Sequence, residues 1–90
     1  MSVRVKLPAL LKEFSGGIES VEVNGRTVRD CLDELDMQFP GMSKSLFDRE
    51  GKLLQAFGIF LNGAYLKTVG LDTQLQDGDE IVILNFLMGG

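Results

Sequence analysis

A diglycine directly after an apolar run is the part of this sequence best suited to chemistry. The run 81–84 leads through residues 85–88 to Gly89 and Gly90, where the sequence ends. Neither glycine has a Cβ, so their backbone can enter spaces that a side chain would block. An α-carboxylate with a reference pKa of about 3.3 to 3.7 is ionised at neutral pH and can attack phosphorus. We predict that Gly90 is the covalent attachment point and that Gly89 and Met88 thread it into a partner, the alternative being a frayed end without a role.

Other reactive groups are scarce. The chain has no histidine and one cysteine, which removes Ser/His and Cys/His catalysis and most zinc sites. Cys31 falls on the apolar stripe of a predicted helix and is interpreted as a core residue. Asp77 and Asp79 flank Gly78 and are interpreted as turn residues, not metal ligands. We predict no catalytic residue and no metal site in this chain.

Composition restricts the class of protein and its partners. Ninety residues, 44% hydrophobic and 24% charged, predict a single globular domain over residues 1–90. A net charge of −4 disfavours nucleic acid and anionic membranes as partners and favours a basic protein surface. No apolar run reaches the roughly 18 residues of a membrane span, and no signal-peptide pattern is present. We therefore expect a cytoplasmic protein.

The first half of the chain predicts a hairpin followed by one helix. Apolar and polar residues alternate over residues 3–7, and a second short strand over residues 18–23 ends at an Asn-Gly turn. Thr27 is placed to cap a helix that begins near Val28. Val28, Cys31, Leu32, Leu35 and Phe39 follow the spacing of one apolar helix face, and Pro40 and Gly41 end it.

The second half predicts further strands of the same sheet. A short helical turn is expected over residues 42–47, and Asn62-Gly63 predicts a tight hairpin between strands at 59–61 and 65–66. Residues 71–75 are interpreted as a loop, and the final strand begins at Ile81. The first and last strands can lie parallel at the sheet centre, because the helix crossover separates them. The predicted fold is α+β, a β-grasp with a mixed sheet of four to five strands and one main helix on one face.

The last strand predicts a binding surface. It is apolar at every position from 81 to 84, yet a strand presents successive side chains to opposite faces. If Ile81 and Ile83 face the helix, then Val82, Leu84 and Phe86 form an apolar partner-binding patch on the open face, with residues 85–90 as a flexible tail. The alternative is that residues 42–57 cover that face.

These motifs together resemble the MoaD/ThiS family of ubiquitin-like sulfur carriers. The resemblance depends on the opening hairpin, Asn62-Gly63, the segment 75–81 and the terminal diglycine, and it spans essentially the whole chain. Length, the segment 7–11 and residues 15–17 look most like the carrier of thiocarboxylate-dependent cysteine synthesis. The residues before the diglycine differ from the Pro-Pro-Val tail that is usual in molybdopterin carriers, which leaves the receiving enzyme open.

The resemblance implies a carrier that is not itself an enzyme, although it can be the small subunit of a synthase. An E1-like enzyme would use ATP to adenylate Gly90, and a sulfur donor system would convert the adenylate to a thiocarboxylate. A biosynthetic enzyme of the cysteine, molybdopterin or thiamin type would accept the sulfur, and the chain itself would bind no cofactor. Two alternatives remain open, a ubiquitin-like modifier conjugated through Gly90 and a non-covalent β-grasp interaction module.

Overall fold

The computed structural model describes residues 2–66 and 70–86. Five strands are present: β1 (Ser2–Lys6), β2 (Ser20–Asn24), β3 (Phe57–Leu61), β4 (Ala64–Tyr65) and β5 (Glu80–Asn85). Two α-helices, α1 (Lys12–Ser15) and α2 (Val28–Gln38), and two short 3₁₀ helices, Ala9–Leu11 and Ser43–Leu46, complete the described part of the chain. None of its helices has the length and apolar character needed to cross a bilayer.

The strands form one mixed sheet in the order β2-β1-β5-β3-β4. β1 and β2 pair antiparallel, whereas β1 and β5 pair parallel, with Val5 opposite Ile81. β5 therefore lies at the centre of the sheet, and β3 pairs antiparallel to its other edge. The predicted β-grasp arrangement, including the parallel central pair, is confirmed.

The β3–β4 hairpin follows the turn chemistry that the sequence predicted. Asn62 and Gly63 have φ angles of 50° and 86°, both positive as a type I′ turn requires. This turn aligns Phe60 with Tyr65 and Leu61 with Ala64. The identity of two loop residues thus determines which side chains meet across the hairpin.

Helix α2 begins and ends close to the predicted positions. The hydroxyl of Thr27 accepts a hydrogen bond from the Asp30 N–H at 3.1 Å, and the Asp30 carboxylate accepts from the Arg26 N–H at 3.2 Å. The Thr27 contact satisfies one of the amides that the first helical turn leaves unpaired, and the Asp30 contact holds the residue that precedes the cap. Glu34 also accepts a hydrogen bond from the Asn24 N–H, which ties the exposed flank of the helix to β2.

One apolar core lies between α2 and one face of the sheet. Residues of α2 and of three strands are buried together in this core, and Ile83 is 1% exposed: Val5, Val21, Leu32, Leu35, Ile81 and Ile83. Met42 and Leu46, at 1% and 0% exposed, belong to the same core. The segment that contains them therefore packs on the helix side of the sheet, and the alternative that residues 42–57 cover the open face is wrong.

Two segments interpreted as loops have more structure than predicted. The connection between β1 and β2 forms a 3₁₀ helix and α1, and it buries Leu11 completely. In the segment 71–75, carbonyls of Leu71 and Thr73 accept hydrogen bonds from the first amides of α2, and Leu75 is buried in the core. Both segments lack a long periodic pattern, so their order comes from contacts with the sheet and with α2.

Candidate functional site

β5 divides its side chains between the two faces of the sheet. Ile81 and Ile83 are buried against α2, whereas Val82 and Leu84 lie half-buried on the opposite face. Phe86, one residue beyond the strand, is 49% exposed. The register that the patch hypothesis required is confirmed, and its three residues lie on one face.

Neighbouring strands enlarge this surface beyond the predicted residues. The strand register places Phe60 beside Val82 on one side and beside Tyr65 on the other. The Phe60 and Tyr65 rings are 5.2 Å apart, and the Tyr65 and Phe86 rings meet edge to face at 6.1 Å. We call these five residues the open-face patch: Phe60, Tyr65, Val82, Leu84 and Phe86. Phe60 and Tyr65 were missed, although the two-residue hairpin and the inward position of Ile59 together indicate where they point.

The other half of the open face is charged. Arg4 and Lys6 on β1 form ion pairs of 3.7 Å with Glu22 and Glu80, respectively. All four side chains are well exposed, so these pairs contribute little to stability. The open face therefore combines an apolar half on β3, β4 and β5 with a charged half on β1 and β2.

The end of β5 lies further along the chain than predicted. Asn85 pairs with Phe57 and is 4% exposed, and the Phe86 N–H donates to the Ala56 carbonyl oxygen at 2.7 Å. The prediction of a flexible tail from residue 85 is thus wrong for its first residue, because the strand ladder continues through Asn85 and holds Phe86. Met88, Gly89 and Gly90 lie outside the described residues, and their predicted roles stay predictions.

The acidic turn before β5 is organised by hydrogen bonds. Asp77 accepts from the Ser2 N–H at 2.8 Å, and Asp79 accepts from the Gln76 N–H at 2.8 Å and from the Asn62 side chain at 2.9 Å. The Gln76 and Asn62 donors hold the pKa of Asp79 below its ordinary value. The interpretation of these carboxylates as turn residues is confirmed, and they join the N-terminus, the hairpin turn and β5.

Cys31 is a core residue, as its helical position predicted. Its side chain is fully buried on α2. Burial, with smaller contributions from the Asp30 and Glu34 carboxylates, raises the pKa of the thiol from 9.0 to about 11. A thiol without thiolate character is a poor nucleophile, so Cys31 is not suited to covalent chemistry at neutral pH.

The raised pKa of Cys31 predicts a loss of stability in alkaline solution. The folded state retains the thiol proton to higher pH than the unfolded state does. The contribution of the thiol to the free energy of unfolding is therefore complete below pH 9 and is lost between about pH 9 and 11. Urea unfolding under reducing conditions measures the free energy of unfolding at pH 8 and at pH 10. Between these two pH values it should decrease more for the wild-type chain than for Cys31→Ala. Equal decreases in the two proteins would contradict this assignment.

The β-grasp fold, with its mixed sheet and one main helix, is the fold of small ubiquitin-like proteins. The family model described as "ThiS family" matches residues 5–90. The chain belongs to the ThiS family, in agreement with the resemblance seen in its motifs.

Similar proteins include sulfur carriers and a protein modifier. The chain is 33% identical over 93 residues to the sulfur carrier protein CysO of Mycobacterium tuberculosis, with both chains fully covered. The crystal structure of that CysO matches with a TM-score of 0.85 at 32% identity, covering 92% of this chain and 97% of CysO. CysO from the crystal structure of the Amycolatopsis orientalis BexX/CysO complex matches with a TM-score of 0.85 at 31% identity, covering 98% and 99% of the two chains.

The modifier is the small archaeal modifier protein 1 of Methanosarcina acetivorans. Its solution structure matches with a TM-score of 0.79 at 33% identity, covering 99% of this chain and 96% of the modifier. The same β-grasp frame therefore occurs in proteins named for sulfur transfer and in proteins named for modification.

Proposed function

We propose that this chain is a sulfur carrier whose Gly90 carboxylate is activated and converted to a thiocarboxylate by partner enzymes. The observation that carries the proposal is that the family match runs from residue 5 through Gly90 and so includes the diglycine. Along the sequence, the diglycine begins three residues after Phe86, the last member of the open-face patch. The 33% identity to CysO over the whole chain supports the same role.

The chemistry requires an activating partner. A Gly90 carboxylate oxygen attacks the α-phosphorus of ATP, pyrophosphate leaves, and an acyl-adenylate forms. A sulfur nucleophile from the donor system then displaces AMP, and the carrier is released as a thiocarboxylate. The carrier supplies the reacting atoms, and an E1-like enzyme binds ATP and performs catalysis.

The accepting pathway is proposed from the relatives. Among the cysteine, molybdopterin and thiamin types, the likeness to CysO proteins favours the cysteine type. The Amycolatopsis CysO was crystallised in a complex with BexX, which supports docking of a protein of this shape on a partner protein. We propose that the open-face patch is the surface used for such docking.

A ubiquitin-like modifier is the second candidate function. The likeness to the small archaeal modifier protein 1 favours it, because that protein shares the fold over nearly the full chain. A modifier would form an isopeptide between Gly90 and a lysine of another protein, after the same activation.

Mass spectrometry of the chain expressed with its native partners tests these functions. A carrier gains the mass that corresponds to replacement of one oxygen by sulfur, located on the C-terminal peptide. A modifier instead gives covalent conjugates that carry Gly90 on a lysine. An unmodified C-terminus under sulfur-replete conditions with all partners present would contradict both and leave a non-covalent interaction module.

Leu84→Asp is expected to weaken binding to the activating enzyme. Leu84 lies half-buried on the open face, between Val82 and Phe86 along the chain. An apolar interface anchor can contribute about 2 kcal/mol or more, roughly 30-fold in Kd. A buried carboxylate adds a desolvation penalty. Titration calorimetry with the E1-like enzyme measures the change.

Ser20→Asp is the matched control for Leu84→Asp. It adds the same charge to the same sheet face, but on β2, where Ser20 is exposed and pairs with Lys6. Its Kd should stay within about twofold of wild type, in keeping with the small energies of exposed charges. Equal Kd values for wild type and folded Leu84→Asp would refute docking through the patch.

A further inference from the structure

Gly58 occupies the interior of β3, where its backbone conformation does not require glycine. It lies opposite Leu84 in the strand register, and it is absent from the glycines with positive φ in the described chain. Glycine weakens a strand interior, and at such positions it often marks the close approach of another group. Glycine is therefore explained at this position by the room that its missing side chain leaves for another group beside its Cα.

The Phe86 ring fills that space. A Cβ added to Gly58 would lie 2.3 Å from Cζ and 2.9 Å from Cε2 of Phe86, which is too close for non-bonded carbon atoms. Gly58 is itself buried, although it has no side chain and lies on the open face of the sheet. The ring thus sits directly on the β3 backbone.

Two further contacts hold Phe86 in this place. Its N–H donates to the Ala56 carbonyl oxygen at 2.7 Å, which continues the β3–β5 ladder by one step. The edge of its ring meets Tyr65 at 6.1 Å between ring centroids, a geometry favoured by aromatic pairs. Phe86 is nevertheless 49% exposed, so its outer face stays available to a partner.

We propose that Phe86, whose ring lies against Gly58, is a positioning residue that fixes the point from which the chain continues toward its reactive terminus. This inference rests on the proposed function. Four residues follow Phe86, and at 3.3 to 3.6 Å each they reach at most about 14 Å. A carboxylate must come within about 3 to 3.5 Å of the atom it attacks, and misplacement of the reacting group by about 1 Å can cost about 100-fold in rate.

Gly58→Ala tests the seat without removing any existing side chain. The new methyl group should displace the ring, which is the far end of a flexible side chain, so the body of the protein should remain folded. Hydrogen exchange of the Phe86 amide should become faster, while exchange of the Ile81 and Ile83 amides stays unchanged. With the cognate E1-like enzyme and saturating ATP, kcat of pyrophosphate exchange should fall about 10- to 100-fold, with a smaller change in KM.

The double variant Gly58→Ala/Phe86→Ala is the matched control. The three atoms nearest the added methyl group all belong to the Phe86 ring, so without that ring the double variant should have the same kcat as Phe86→Ala. An added loss in the double variant would show that Gly58 acts without Phe86 and would overturn the inference. Phe86→Leu, a surface substitution, provides the same kinetic comparison if Gly58→Ala does not fold, and a wild-type kcat in it would likewise overturn the inference.

The inference and the proposed function fail in different ways. If Gly58→Ala loosens the Phe86 amide but keeps the wild-type kcat and KM, the positioning role is refuted while the sulfur-carrier function stands. If the wild-type chain supports no pyrophosphate exchange with its activating enzyme, the proposed function itself is refuted, and the role of Phe86 with it.

Discussion

Deletion of Gly90 is expected to abolish adenylation of the carrier. The shortened chain ends one residue early, about 3.3 to 3.6 Å from the position of the natural carboxylate. That displacement is as large as the whole contact distance needed for attack on the ATP phosphorus, so the rate should fall by at least about 100-fold. ATP–pyrophosphate exchange with the cognate E1-like enzyme measures the loss.

Two companion variants test two separate requirements: the position of the terminal carboxylate, and the narrowness of the segment that must enter the partner. An alanine added after Gly90 moves the carboxylate outward by one residue, and Gly89→Val places a β-branched side chain on the segment that must thread. Both should also lose exchange activity.

The fold serves as the internal control for these variants. Gly90 has no side chain to pack and is the last residue of the sequence, where changes are usually tolerated, so its deletion should leave Tm unchanged. A deletion variant that is active at the wild-type rate would show that the terminus is not the reactive group, and the sulfur-carrier proposal would fail with it.

Leu32→Ala is expected to lower the free energy of unfolding by about 2 to 5 kcal/mol, the usual range for a buried leucine truncated to alanine. Leu32 is 3% exposed and packs in the core between α2 and the sheet. Its truncation removes apolar contacts and leaves space that neighbouring residues fill only in part. Urea unfolding monitored by circular dichroism gives the change in free energy.

Met37→Ala is the matched control on the same helix. Met37 is 81% exposed, so its truncation should change the free energy of unfolding by no more than about 0.5 kcal/mol. Similar changes in the two variants would contradict the assignment of Leu32 to the core, because alanine has a higher helix propensity than either residue and propensity cannot explain a loss.

The sequence by itself determined the elements that depend on local rules. Thr27 and Asp30 cap α2 because their side chains reach amides within the same turn. Asn62 and Gly63 form the type I′ turn because both accept positive φ. The alternation of β5 could be predicted because a strand has a period of two, and the burial of Ile81 and Ile83 follows from it once the helix face is known.

Tertiary structure decided every feature that joins residues distant in the chain. The sequence offered two opposite positions for residues 42–57, and only the burial of Met42 and Leu46 beside α2 placed that segment away from the open face. Asn85 reads as the start of a tail, yet its pairing with Phe57 makes it part of β5. Local propensity does not predict such pairings, because the hydrogen bonds come from a partner strand that is distant in the sequence.

Some residues of the candidate site could be predicted from the sequence, whereas others were found only in the folded structure. Val82, Leu84 and Phe86 were found from the period of one strand, whereas Phe60 and Tyr65 join them through the register of two others. Gly58 lies just before the strand predicted at 59–61, and its contact with the Phe86 ring exists only because β3 and β5 are neighbours. Periodicity along a chain determines which face a residue occupies, but steric contact across a sheet depends on strand order and register, which only the folded protein defines.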